Sequence, residues 1–282
     1  MSRKLISAKI DVVFKKLFIE NKDLLREFLA DILEIPIDDI EEIIITNSEM
    51  TPENIENKFS RLDLNLKLKA RLVNIEIQIR FDSDYRDRTL FYWAKLYTSE
   101  LKSGEPYVNL KQAIAINILG FNMFEGQDYH TEVVAAIKGT NEIFSDKFSI
   151  HFFELKKVGK NINPSNRREL WMQFINADSE EEFEMLAETK IPTMEKAVKV
   201  ILDMSEDTKI REMARQREKM LHDEASLIQG ARNEGKNEGI EQTTLKSILN
   251  LMDSLNLTDK QAMDILKLTE EEQVKYSKML NK

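Results

Sequence analysis

Two short runs of strictly alternating residues constrain the fold of this chain more than any other feature. In residues 61–69 the apolar positions are Leu62, Leu64, Leu66 and Leu68. In residues 73–80 they are Val73, Ile75, Ile77 and Ile79. A period of two places apolar and polar side chains on opposite faces of a strand. Because only a few residues separate the runs, they predict an antiparallel hairpin.

The simplest register of this hairpin places all apolar residues on one face. It predicts the apolar pairs Leu62–Ile77, Leu64–Ile75 and Leu66–Val73, and the polar pairs Arg61–Gln78, Asp63–Glu76 and Asn65–Asn74. Two carboxylates would then face each other with Cβ atoms roughly 5 Å apart, which is unfavourable unless a positive charge offsets it. A divalent cation would do so. The alternative is a solvated sheet face on which neighbouring Arg and Lys neutralise the acids.

The acids of the hairpin also carry a resemblance to a known family. An isolated Asp63, a turn and then Glu76-Ile77-Gln78 resemble the metal-binding core of PD-(D/E)XK nucleases, with Gln in place of the commoner Lys. The surroundings resemble the PD-(D/E)XK nuclease family transposases, also described as Rpn-type recombination-promoting nucleases. The resemblance covers roughly residues 8 to 240, and its marks are DVVFKKLF at 11–18, VNIEIQ at 73–78, RTLFYW at 88–93, GEPY at 104–107 and a charged, Gly-spaced tail.

This resemblance implies an activity and a cofactor. It implies a metal-dependent DNA endonuclease that hydrolyses phosphodiester bonds and promotes recombination, in mobile-element or phage-defence contexts. Mg²⁺, or Mn²⁺ as a substitute, would be held by Asp63, Glu76 and the backbone carbonyl of Ile77. Gln78 would orient the attacking water in place of the usual Lys, which leaves the general base unassigned.

An acid from the first helix often completes the metal site in the superfamily. Asp11 matches that position best, and Glu27 and Asp31 are weaker matches. The alternative for Asp11 is an acid at a helix N-terminus, where the macrodipole favours negative charge.

A predicted helix after the hairpin carries candidate phosphate ligands. Arg88, Tyr92 and Lys95 are spaced i, i+4 and i+7, so they share one helical face. The same pattern also suits an ordinary solvated surface. Tyr107 could stack on a base, although a tyrosine beside a turn is usually just packed.

Composition limits the function classes. The chain has no Cys, which excludes disulfides and thiolate metal sites. Its three histidines, His130, His151 and His222, lack ligand-like spacing and suit structural or surface roles. A net charge of −9 argues against general nucleic-acid binding, yet residues 58–102 hold ten Lys and Arg against six acids. The candidate site therefore lies in a locally basic window.

Hydropathy predicts where the protein resides. No signal-peptide pattern and no 18-residue apolar run appear in the sequence. We therefore expect a soluble cytoplasmic protein without membrane contact.

The order of elements predicts an α/β fold. Helical spacing covers residues 8–33 and 84–102, and strand patterns cover residues 41–46, 113–119, 131–137 and 148–155. The apolar run at 113–119 is typical of a central strand covered on both faces. This order agrees with the restriction-endonuclease-like αβββαβ core of the resembled family, followed by a helical C-terminal extension.

Four segments are predicted along the chain. Residues 1–160 form the nuclease core, and residues 161–229 form a helical continuation packed on or beside it. Residues 230–242 form a charged linker, because Gly230, Gly235 and Gly239 weaken a helix by about 1 kcal/mol each. Residues 243–282 form a small helical module, for which oligomerisation or regulation is favoured over a DNA-reading helix-turn-helix.

Two other functions stay open at this point. One is a catalytically silent nuclease-like scaffold that binds DNA or protein, which the overall acidity and Gln78 favour slightly. The other is a hydrolase acting on RNA or on single strands. A homodimer is a reasonable hypothesis, because cutting both strands of DNA needs two sites or a reorientation.

Overall fold

Six strands form one mixed sheet in the computed structural model, which describes residues 5–40, 43–45, 64–99 and 101–280. The strands are β1 (Ile44–Ile45), β2 (Leu64–Lys67), β3 (Arg71–Gln78), β4 (Gln112–Leu119), β5 (His130–Ala136) and β6 (Ile143–Glu154). Their order across the sheet is β1-β2-β3-β4-β6-β5. The β3–β4 and β4–β6 pairs are parallel, and the other pairs are antiparallel.

The predicted hairpin register is confirmed where the structure describes both strands. Leu64 pairs with Ile75, Asn65 with Asn74 and Leu66 with Val73. The apolar members of these pairs are buried. The predicted pairs of Arg61, Leu62 and Asp63 lie outside the described residues.

The main core lies on the apolar face of this hairpin. It is covered by helices α1 (Asp11–Glu20), α2 (Lys22–Leu33), α4 (Arg167–Asn176), α5 (Glu180–Ala187) and α6 (Pro192–Glu206). Trp171 of α4 is fully buried there, with ring centroids 6.0 Å from Phe18 and 5.4 Å from Phe28. Its indole Nε1 donates to the Asp31 carboxylate at 2.8 Å, so the buried polar atom is satisfied.

The prediction of one helix over residues 8–33 is wrong in detail, because two helices occupy this stretch. They meet at Asn21, whose φ of −127° and ψ of 74° lie outside the helical region. The Asn21 side-chain amide donates to the Leu17 carbonyl at 2.8 Å. A short amide side chain competes in this way with the helical backbone ladder, so the apolar stripe continues across a break.

A second, smaller core lies on the opposite face of the sheet, beneath α3 (Tyr85–Thr98). Tyr85 packs there with Ala115 and Leu119 of β4 and with Ile150 and Phe152 of β6. Trp93 of α3 donates from Nε1 to the Ala113 carbonyl at 2.8 Å. Since α3 lies between β3 and β4 in the chain, the predicted αβββαβ order is confirmed.

The C-terminal part differs from the expected linker. Helix α7 (Thr208–Leu255) continues through all three glycines of residues 230–242. It is followed by α8 (Asp259–Ile265) and α9 (Glu270–Leu280). Thr258 caps α8 in a capping box with Gln261.

The chain divides into two compact units, residues 1–218 and 219–282. The first contains the sheet and both of its helical layers. The second has its own small core, formed by Ile248, Ala262, Met263 and Tyr276. Among the described residues, no helix is both long and apolar enough to cross a membrane.

Candidate active site

The polar face of β3 forms the floor of the candidate site. Val73, Ile75 and Ile77 belong to the main core, so Asn74, Glu76 and Gln78 lie on the face covered by α3. Asn74 and Glu76 are buried, with 7% and 3% of their surface exposed. A buried carboxylate needs a charged or hydrogen-bonding partner to offset its desolvation.

Arg88 of α3 supplies a countercharge to Glu76. Its Nη2 lies 3.3 Å from Glu76 Oε1, and the exposed fractions of the two side chains are 13% and 4%. The same guanidinium pairs with Asp82 and lies over the ring of Tyr85, 4.8 Å from the centroid. Arg88 therefore connects the floor of the site to the loop after β3 and to the start of α3.

Hydrogen bonds fix the residues around this carboxylate. Tyr85 Oη donates to Asn117 Oδ1 at 2.9 Å, and Asn117 lies opposite Glu76 in the parallel β3–β4 register. Asn74 donates to Asn65 across the hairpin at 2.8 Å. Gln78 Nε2 donates to the Arg80 carbonyl at 2.9 Å. That bond commits the donor end of the Gln78 amide, so its oxygen is the end suited to a cation or a water.

Two guanidinium nitrogens beside the site are buried without a hydrogen-bond partner among the described residues. They are Arg88 Nε and Arg80 Nη1. Buried donors are normally satisfied, so an unpaired one points to a missing acceptor such as water or an anion. Phosphate oxygens are acceptors that match the planar guanidinium.

The structure brings together some of the predicted site residues. Glu76, Ile77 and Gln78 follow one another on β3, and Arg88 reaches Glu76. Tyr92 is half-buried, with its ring centroid 5.6 Å from that of Phe91, and Lys95 is exposed. Asp63 lies outside the described residues. Within the described ranges, no cluster of three or more His, Asp or Glu side chains is arranged to hold a metal.

Asp11 has a strong partner of its own. Arg217 of α7 forms a forked ion pair with its carboxylate, with Nε 2.9 Å and 2.8 Å from the two oxygens. Both side chains are largely buried, at 14% exposed for Asp11 and 16% for Arg217. Asp11 also accepts from the backbone amide of Val12 at 2.8 Å. Any metal ligation by Asp11 would compete with this pair.

Sequence reasoning missed two members of this constellation. In the sequence, Asp82 and Arg80 counted only among the charges of the basic window at 58–102. In the structure, Asp82 pairs with Arg88, and Arg80 has a buried nitrogen without a hydrogen-bond partner among the described residues. The available signal was position, because both residues fall in the short loop between the Glu76 strand and the Arg88 helix.

His130 and His151, for which structural or surface roles were expected, lie in one hydrogen-bonded group with Ser149. His130 Nε2 and His151 Nδ1 are 3.0 Å apart, and Ser149 Oγ lies 2.9 Å from His151 Nε2. Burial, the cation of Arg168 and the neighbouring His151 together lower the pKa of His130 to about 4. His222, by contrast, has 79% of its side chain exposed.

These histidines should make the protein less stable in acid. Between pH 6.5 and about 4 the unfolded chain binds the His130 proton more readily than the folded chain, so stability falls as the pH falls through that window. His130 is only half-buried, and after allowance for solvent screening we expect a loss of about 1–2 kcal/mol.

The variant His130→Gln should flatten this pH dependence, as measured by urea unfolding at pH 7 and pH 4.5. His222→Gln is the matched control, since it removes an exposed histidine and should leave the profile unchanged. Identical profiles for wild type and both variants would contradict the assignment.

A mixed sheet in αβββαβ order, with a buried acid on its second hairpin strand, is the architecture of the PD-(D/E)XK nuclease fold. Residues 8–231 match the family model described as PD-(D/E)XK nuclease family transposase, and the chain belongs to that family. Neither a curated protein nor a solved structure matches the chain.

Proposed function

We propose that this protein is a metal-dependent DNA endonuclease that hydrolyses phosphodiester bonds. The observation that carries the proposal is the buried Glu76 carboxylate, held beside Arg88 on the polar face of β3 in a chain of this nuclease family. Active sites commonly hold buried acids beside a specific charge partner, so Glu76 is a candidate for metal binding or catalysis.

The residues present suit a hard divalent cation. Glu76 offers a carboxylate, Gln78 an amide oxygen and Ile77 a backbone carbonyl, and Mg²⁺ and Mn²⁺ prefer such oxygen ligands. The alternating sequence pattern predicts Asp63 opposite Glu76 in the hairpin, and on that basis we propose Asp63 as the second carboxylate ligand. When bound, the ion would acidify a water and offset negative charge on the phosphate.

The side chains have distinct proposed roles. Glu76 and Asp63 bind the cation, and Gln78 orients the attacking water through its amide oxygen. Arg88, Tyr92 and Lys95 contact phosphates, and the buried unpaired nitrogen of Arg88 supports this role. Asp11 is a further ligand only if Arg217 releases it.

The family also supports a proposal about the biological setting. Its description as a nuclease family of transposases supports a role in DNA recombination or with mobile elements. We place this activity in the cytoplasm, on a DNA substrate, with a homodimer as the form that cuts both strands.

One observation favours a second function. Arg88 already pairs with Glu76, and an arginine in that place neutralises the carboxylate without any metal. Together with Gln78 in place of Lys and a net charge of −9, this suits a silent scaffold that binds DNA or protein.

Cleavage of supercoiled plasmid separates these functions. Purified protein is incubated with Mg²⁺, Mn²⁺, Ca²⁺ or EDTA, and nicked and linear products are measured on gels. We expect products with Mg²⁺ and Mn²⁺, and none with Ca²⁺ or EDTA, because Ca²⁺ binds with a looser geometry. Intact plasmid under all four conditions would favour the scaffold.

A further inference from the structure

Two exposed phenylalanines lie close in the sequence to the residues that surround Glu76. Phe81 is 69% exposed and directly precedes Asp82, the second partner of Arg88. Phe91 is 64% exposed and follows Arg88 by three residues on α3, which places the two side chains on adjacent turns. Both phenylalanines are therefore close along the chain to Arg88 or to its partner Asp82.

Neighbouring rings hold each phenylalanine in place. Phe81 makes an edge-to-face contact with Phe121, with centroids 5.4 Å apart. Phe91 makes a similar contact with Tyr92 at 5.6 Å. Each ring thus has a supporting contact while about two thirds of the residue remains in solvent. Exposed aromatic side chains serve as stacking platforms on surfaces that bind single-stranded nucleic acids.

The charges around these rings point to a nucleic acid as the occupant. On α3, the three cations Arg86, Arg88 and Lys95 outnumber the single acid Asp87, so the helix that carries Phe91 has a net positive charge. A basic surface with interspersed aromatic residues is how proteins bind single-stranded nucleic acids, since cations follow the phosphates and rings stack on bases. A surface that docks another protein tends instead to have an apolar centre depleted of charge.

We propose that Phe81 and Phe91 stack on unpaired bases of the substrate, next to the phosphate that is cut. The preferred substrate is then DNA whose bases are unpaired at that point, either as a single strand or as a locally opened duplex. This inference rests on the proposed nuclease function, because it places the cut phosphate at Glu76. It assigns both phenylalanines to substrate selection rather than to the chemical step.

The test measures binding without cleavage. Fluorescence anisotropy in Ca²⁺ follows three labelled DNAs of equal length: a single strand, a duplex with a central unpaired bubble and a fully paired duplex. The proteins are wild type, Phe81→Ala, Phe91→Ala and the double variant. Phe144→Ala is the matched control, because Phe144 is 77% exposed but lies near the start of β6, at the opposite end of the parallel strands from Glu76.

We expect wild type and Phe144→Ala to bind one or both unpaired DNAs about tenfold more tightly than the paired duplex. The double variant should lose about tenfold or more of that affinity and keep its affinity for the paired duplex. Tighter binding of the single strand than of the bubble identifies single-stranded DNA as the preferred substrate. Tighter binding of the bubble identifies a locally opened duplex.

Two results would overturn the inference. In the first, the double variant binds the unpaired DNAs as tightly as Phe144→Ala does. In the second, wild-type protein binds the paired duplex as tightly as the unpaired DNAs, or binds no DNA. Failure of the proposed function looks different. In that case, wild-type protein would bind unpaired DNA through the phenylalanines and cleave nothing when Mg²⁺ replaces Ca²⁺.

Discussion

Glu76→Gln is expected to lower metal-dependent cleavage of plasmid DNA by about a thousandfold or more. The substitution preserves the size of a buried side chain and removes the charge that a divalent cation requires. Arg88 keeps Asp82 as a partner, so the fold should survive. Initial cleavage rates in Mg²⁺ and thermal unfolding of the same preparations measure the two effects.

Metal binding should be lost together with cleavage. Calorimetric titration with Ca²⁺ should detect binding to wild type and little or none to Glu76→Gln. Glu142→Gln is the control, because Glu142 is an exposed acid in the loop before β6. A folded Glu76→Gln protein that binds Ca²⁺ and cleaves like this control would remove Glu76 from the site.

Arg88→Gln is expected to destabilise the metal-free protein by about 3 kcal/mol, because it breaks a buried ion pair and removes a countercharge from a carboxylate that stays buried. The same change should tighten Ca²⁺ binding, since it removes a cation that competes for Glu76. Added Ca²⁺ should therefore raise the melting temperature of Arg88→Gln more than that of wild type. Thermal unfolding with and without Ca²⁺ measures both effects.

Arg86→Gln is the matched control for this variant. Arg86 lies on the same helix, is exposed and donates to the Met123 carbonyl at 3.2 Å. Its replacement should change stability by less than about 1 kcal/mol and leave Ca²⁺ binding unchanged. If Arg88→Gln behaved in the same way, Arg88 would not be the countercharge of Glu76.

The hairpin could be predicted because its information is local. The alternation of apolar residues decides which face of the hairpin is buried. A one-residue shift of the strand pairing would turn every Leu and Ile toward solvent. The register from the Leu64–Ile75 pair onward could therefore be predicted from the sequence. The continuity of α7 did not follow. Three glycines cost about 3 kcal/mol in all, which the remaining helix-favouring residues of a 48-residue helix outweigh.

The ion pairs of the site could not be predicted. Asp11 and Arg217 are 206 residues apart, and no local pattern specifies that they meet. Arg88 was expected on a helical face near phosphates, but its contact with Glu76 depends on how α3 packs over the sheet. The sequence therefore identified residue types suited to metal binding, whereas tertiary packing decides their partners.

The most direct test of the central claim compares wild type, Asp63→Asn and Glu76→Gln in one plasmid cleavage experiment with Mg²⁺, once all three show equal folding by circular dichroism. We expect wild type to nick or linearise the plasmid, EDTA to abolish this cleavage, and either variant to leave the plasmid intact. Cleavage by both folded variants at the wild-type rate would contradict the claim that these two acids form the metal site of a nuclease.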